Sequence, residues 1–122
     1  QDVTGAVSLK ISYDVFPKGS YSGVFLKPRD LDLSKVERLR FRLRGEHGAP
    51  IPDAFRIEFK RKRRTVLSFM VTPVTHDWQS FAFVIDAKDP TPIEEVVFVF
   101  EHSLVGASNL SGILHLKNFV IE

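Results

Sequence analysis

Six residues have side chains suited to holding a polar ring compound. Tyr21 and Phe25 share one parity of an alternating segment, Arg56 and Glu58 share one parity of another, and Glu101 and His102 close a third. Aromatic rings offer a stacking surface to the C–H face of a pyranose. Arg and Glu beside them offer bidentate hydrogen-bond partners to vicinal hydroxyls.

A second group is cationic. Arg38, Arg40, Arg42 and Arg44 alternate with Leu39, Phe41 and Leu43. Like charges two residues apart on a strand lie roughly 7 Å from one another and repel unless acidic neighbours intervene. Lys60-Arg61-Lys62-Arg63-Arg64 is the densest charge run and reads as a hairpin tip. The basic surface therefore comprises Arg40, Arg42, Arg61, Lys62, Arg63 and Arg64. It suits an anionic polymer or an acidic protein partner, although solvated strand faces and loops commonly look the same. Nucleic acid is disfavoured, because no aromatic residues interleave with the basic run. Residues 36–64 hold ten Lys/Arg and four Asp/Glu, a local net of +6, against +2 for the whole chain.

Other chemistries find little support. The absence of Cys removes thiol catalysis, disulfides and Cys-based metal sites. His47, His76, His102 and His115 show neither the i, i+2 nor the i, i+4 spacing common in zinc sites, so no metal site and no cofactor are expected. No nucleophile elbow, nucleotide loop or HExxH motif is present. Glu58 and Glu101 are the one carboxylate pair that shares a sheet face, but a small sandwich without a deep cleft makes a poor hydrolase. The expectation is a non-enzymatic domain with no catalytic residues.

The elements that would position these side chains are strands. Apolar residues recur with period two in eight places: Val7–Val15, Val24–Leu26, Leu39–Leu43, Phe55–Phe59, Val66–Val71, Phe81–Ile85, Val96–Phe100 and Ile113–Ile121. Gly, Pro, Asn and Asp clusters separate them, and no window favours the helical period. Trp78 opens the sixth strand and reads as its core or rim anchor, the alternative being a stacking platform for a pyranose ring. The polar turn Asp30–Ser34 launches the third. In the usual jelly-roll wiring, strands one, three, six and eight form one sheet, and two, four, five and seven the other. The fold class is all-β, an antiparallel two-sheet jelly-roll sandwich of about eight strands. At 122 residues, 43% hydrophobic with 11 Phe, residues 1–122 suffice for a single domain with its own core. No apolar run approaches the ~20 residues a membrane helix needs.

Three landmarks occur in this order: Tyr21-Ser22-Gly23-Val24-Phe25-Leu26 with Asp32-Leu33-Ser34 and Leu39-Arg40-Phe41-Arg42-Leu43-Arg44-Gly45; then Asp77-Trp78-Gln79-Ser80-Phe81; then Gly112-Ile113-Leu114-His115-Leu116-Lys117-Asn118-Phe119. Together they resemble a carbohydrate-binding module of the galactose-binding-like β-sandwich type. The resemblance implies a non-catalytic module that binds a poly- or oligosaccharide, appended to an extracellular polysaccharide-active protein. It also implies an extracellular or periplasmic location. On this chain its site residues would be Tyr21, Phe25, Arg56, Glu58, Glu101 and His102. Lys117 stands where such modules often carry an acidic residue that helps hold calcium, so a cation there is disfavoured. The same pattern resembles the assembly-factor domain related to complex I intermediate-associated protein 30, which implies protein binding instead.

Overall fold

A computed structural model describes residues 3–5, 8–15, 21–28, 31–87 and 92–122; of residues 3–5, 21, 22, 24 and 25 it describes the backbone alone. The alternating segments form the expected antiparallel strands. One sheet contains β1 (Val3–Gly5), β2 (Leu9–Asp14), β5 (Arg38–Gly45), β8 (Gln79–Val84) and β11 (Ser111–Ile121). In it β11 is central, pairing β5 on one side and both β2 and β1 on the other. The second sheet runs β3 (Tyr21–Leu26), β10 (Glu95–Glu101), β6 (Phe55–Arg61), β7 (Arg64–Val71). The strand partition expected of a jelly roll is thus observed. A small ribbon of β4 (Leu31–Asp32) and β9 (Pro92–Ile93) and a short helix α1 (His102–Val105) complete the described elements.

Register follows burial. Leu39, Phe41 and Leu43 of β5 are buried, whereas Arg38 and Arg40 are exposed and Arg42 and Arg44 half-exposed. A one-residue slip would exchange these sets and desolvate four guanidinium groups. Three ring pairs join the sheets: Tyr13 on Phe100 at 4.7 Å, Phe69 on Phe83 at 5.0 Å and Phe98 on Phe119 at 5.8 Å. The Tyr13 hydroxyl donates to the Asn109 carbonyl at 3.0 Å, and burial pushes its pKa up.

Four sequence expectations need correction. Leu31 and Leu33 are fully buried, so this stretch is no mere polar turn. Asp32 caps the 3-10 turn Leu33–Lys35 by accepting from the Ser34 amide, while Asp30 lies outside the described residues. Phe81 and Phe83 are only partly buried, because β8 is an edge strand covered on one side. On edge strand β7, Met70 is exposed because it opposes Arg56 on the outer face, and Val66 is exposed where the register against β6 shifts. Finally, β11 is not one continuous ladder. Its register against β5 shifts between Lys117 and Val120, and Asn118 has φ 55°. The bulge changes the inward parity from Leu114 and Leu116 to Phe119 and Ile121, all four of which are buried.

The basic hairpin tip is confirmed and is strained. Arg61 pairs with Arg64, and the two residues between them, Lys62 and Arg63, have φ 48° and 65°. Two left-handed residues make the turn that fits strand twist, and Asn-Gly is its favoured sequence. Replacing Lys62-Arg63 by Asn-Gly should raise the unfolding free energy by about 1 kcal/mol. A urea midpoint that stays put or falls would show that the strain is absent.

Candidate functional site

The outer face of the second sheet forms an open groove of about 620 Å³. Val97 and Val99 of β10 make its floor, with Gly23 of β3 on one side and Arg56, Glu58 and Lys60 of β6 on the other. Glu101 and Glu95 stand at the two ends of β10, and Arg63 of the hairpin tip also lines the groove. Cross-strand pairing brings these residues together: Glu58 opposes Val97, Arg56 opposes Val99, and Val99 in turn opposes Gly23.

At Gly23 the sheet leaves little room for a side chain. A Cβ at that position would lie 3.1 Å from both the Phe98 carbonyl and Val97 Cγ1. The missing side chain keeps the groove floor open.

One guanidinium organises the polar wall. Arg56 Nε donates to Glu58 Oε2 at 3.2 Å, and its terminal nitrogen donates to Glu101 Oε1. Glu58 also accepts from the Thr65 hydroxyl at 3.3 Å and lies 3.6 Å from Lys60 Nζ. The Glu58 side chain is 13% exposed and Arg56 27% exposed, so the network is half-desolvated yet reachable from the groove. Two carboxylates clasped by one arginine present fixed acceptors and donors, the arrangement that orients hydroxyl groups.

Of the sequence candidates, the fold therefore places Arg56, Glu58 and Glu101 on one surface. Tyr21 pairs with Glu101 and Phe25 with Val97, while their side chains lie outside what the structure describes. His102 begins α1 and does not line the groove. Sequence reasoning missed Val97, Val99, Glu95 and Gly23. The run Val96–Phe100 is apolar on both parities, which hid its groove face, and the only signal at Gly23 was a glycine within a strand.

The sequence matches no protein-family model and no curated protein. Solved structures do match. The family 11 carbohydrate-binding module from Clostridium thermocellum, in complex with a β-1,3-1,4-mixed-linked tetrasaccharide, has a TM-score of 0.57 at 16% identity, covering 99% of this chain and 86% of that one. A point mutant of a family 29 carbohydrate-binding module gives a TM-score of 0.59 at 15% identity, covering 99% and 76%. A second such mutant, complexed with mannohexaose, gives 0.54 at 16% identity, covering 98% and 74%. The chain has the β-sandwich fold of carbohydrate-binding modules.

The opposite outer face of this carbohydrate-binding-module fold, on the β11-centred sheet, carries the arginine ladder. Arg38 and Arg40 both pair with Glu122, at 2.8 Å and 2.7 Å. Hydrogen bonds from Arg40 and then Arg38 hold the Glu122 carboxyl below its usual range. Higher up the ladder, Arg42 and Arg44 meet Trp78 instead, their guanidinium carbons 5.8 Å and 5.3 Å from the ring centre. Lys117 Nζ sits 4.0 Å from the same ring. Trp78, half-exposed just before β8, thus carries three cations on this face. Contacts of this kind contribute about 0.5–1 kcal/mol each at partly exposed sites. At the hairpin tip Lys62, Arg63 and Arg64 are exposed, and Arg61 lies 3.7 Å from Glu94. Among the described residues, no group of three or more His, Cys, Asp or Glu could hold a metal, and no helix is long and apolar enough to cross a membrane.

Proposed function

We propose that this chain is a non-catalytic carbohydrate-binding module and that the groove on the β3-β10-β6-β7 sheet holds a neutral oligo- or polysaccharide. The observation that carries the reading is the Arg56 network. One guanidinium fixes carboxylates from two strands above an apolar floor, inside an open groove. Tyr21 and Phe25, whose registers lie opposite Glu101 and Val97, are assigned the stacking role. The fold's likeness to modules solved with a mixed-linked tetrasaccharide and with mannohexaose supports this reading. In the full reading the module is appended to an extracellular or periplasmic polysaccharide-active protein and serves to keep it on its substrate.

Calorimetric titration with neutral β-glucan and β-mannan oligosaccharides tests this. Binding should be nearly independent of ionic strength, because stacking and hydrogen bonding are little screened. Arg56→Ala should weaken it by about 10–100-fold, the loss expected for hydrogen bonds to a charged group. Tyr21→Ala should do the same, and Gly23→Ala should weaken binding by narrowing the floor. Lys35→Ala, distant on the 3-10 turn, should not. Failure of every neutral glycan to bind, or full affinity in Arg56→Ala, would remove the reading. The assembly-domain reading has one observation in its favour, the exposed Val66 and Met70 on edge strand β7, which could accept a partner strand.

A further inference from the structure

We propose that the opposite outer face, on the β11-centred sheet, is a second binding surface, and that its ligand is an acidic polysaccharide whose carboxylates are held by Arg42, Arg44 and Lys117. The choice of polymer class rests on the carbohydrate-binding reading above; the cation cluster itself does not.

Glu122 satisfies Arg38 and Arg40, but among the described residues no carboxylate lies within ion-pairing distance of Arg42, Arg44 or Lys117. Arg44 donates one bond to the Gly45 carbonyl, and the rest of its fork remains available. Three cations converge on one indole, which attracts them without neutralising them. Solvated cations serving solubility alone would spread apart to reduce repulsion. Here the Asn118 bulge sets the strand on which Lys117 pairs with Arg42, and Trp78 holds all three in place. The arrangement is preorganised for an anion.

Beside the cluster, a depression of about 320 Å³ is lined by Arg40, Arg42, Ser80 and Asn118 together with Phe41, Phe81 and Ala82. A hydroxyl and an amide next to guanidinium groups suit a ligand that carries hydroxyls as well as carboxylates. A bare polyanion has less use for them. Arg42 and Arg44 are alternate residues of β5, whose positions repeat roughly every 7 Å, so the two free guanidinium groups can each meet a carboxylate of the same polymer chain.

Trp78 is the single tryptophan of the chain, so its fluorescence reports on this face alone. Polygalacturonate and alginate oligosaccharides are the probes, with methyl-esterified polygalacturonate as the uncharged control. The free acids should change Trp78 fluorescence and bind with an affinity that falls steeply with salt, and the ester should not bind. Arg42→Gln and Lys117→Gln should each weaken binding tenfold or more, with Arg42→Lys restoring part of the loss. Arg63→Gln and Arg56→Ala should leave it within twofold, and neutral glycans in the groove should be indifferent to the cluster variants. Thermal melts check that each variant folds. Four results would overturn the proposal: no binding of either acid; equal binding of the ester; loss in Arg56→Ala with none in Arg42→Gln, which would move acidic sugars to the groove; or displacement by duplex DNA or polyglutamate at equal charge, which would mark a general polyanion surface.

Discussion

Phe41→Ala should lower the unfolding free energy by about 3–5 kcal/mol, the range for truncating a phenylalanine in a packed core. Phe41 is 2% exposed and stands at the middle of β5, between β8 and β11. Its ring meets Phe81 at 5.3 Å, Phe83 at 6.1 Å and Phe119 at 6.1 Å. Removing it leaves a cavity that three aromatic neighbours, fixed on two other strands, cannot collapse to fill. Phe81→Ala should cost less, below about 3 kcal/mol, because Phe81 lies on an edge strand and is already partly wet. Urea titrations decide the matter. Coincident midpoints for wild type and Phe41→Ala, or a larger loss in Phe81→Ala, would refute this account of the core.

Gly112→Ala is the second large effect, with an expected cost of about 2–3 kcal/mol from overpacking. A Cβ there would stand 2.4 Å from the Pro50 carbonyl and 2.8 Å from the Tyr13 hydroxyl. Neither neighbour can yield freely. The Pro50 oxygen belongs to the backbone of the loop crossing β11. Tyr13 is stacked on Phe100 with an interplanar angle of 3°, and its hydroxyl is committed to Asn109. Gly48→Ala is the informative contrast. Nothing lies within 4 Å of a Cβ at Gly48, so the cost there comes from its φ of +82° alone, about 1 kcal/mol. Calorimetric melts of the two variants should therefore separate clearly. A Gly112→Ala protein as stable as wild type would mean that the loop does not press on β11.

The candidate site was half legible from the chain. Arg56, Glu58 and Glu101 could be put on one surface because parity fixes which face of a strand a residue occupies, and the jelly-roll wiring places their strands in one sheet. Glu95, Val97 and Val99 could not, because the run Val96–Phe100 is apolar on both faces. Its inner residues pack in the core, while Val97 and Val99 lie under the groove and are themselves buried. In the same way, the pattern Leu114, Leu116, Phe119, Ile121 held a parity change that the sequence did not explain until Asn118 was seen in a left-handed conformation.

By itself the sequence determined the eight longer strands, most of their inward faces, a basic hairpin tip within Lys60–Arg64 and the alternation that sends four arginines outward, but not the short strands β1, β4 and β9 or the helix α1. These are local properties. A period of two and a turn are written in neighbouring residues, and burial of the apolar parity enforces them. Only the tertiary structure decided that Arg56 meets Glu101, that Glu122 neutralises two rungs of the ladder and leaves the others, that Trp78 gathers Arg42, Arg44 and Lys117, and that the Pro50 loop requires glycine at position 112. Each of these joins strands distant in the chain. Their juxtaposition follows from how two twisted sheets pack to fill one core, a condition on the whole molecule that no single segment encodes.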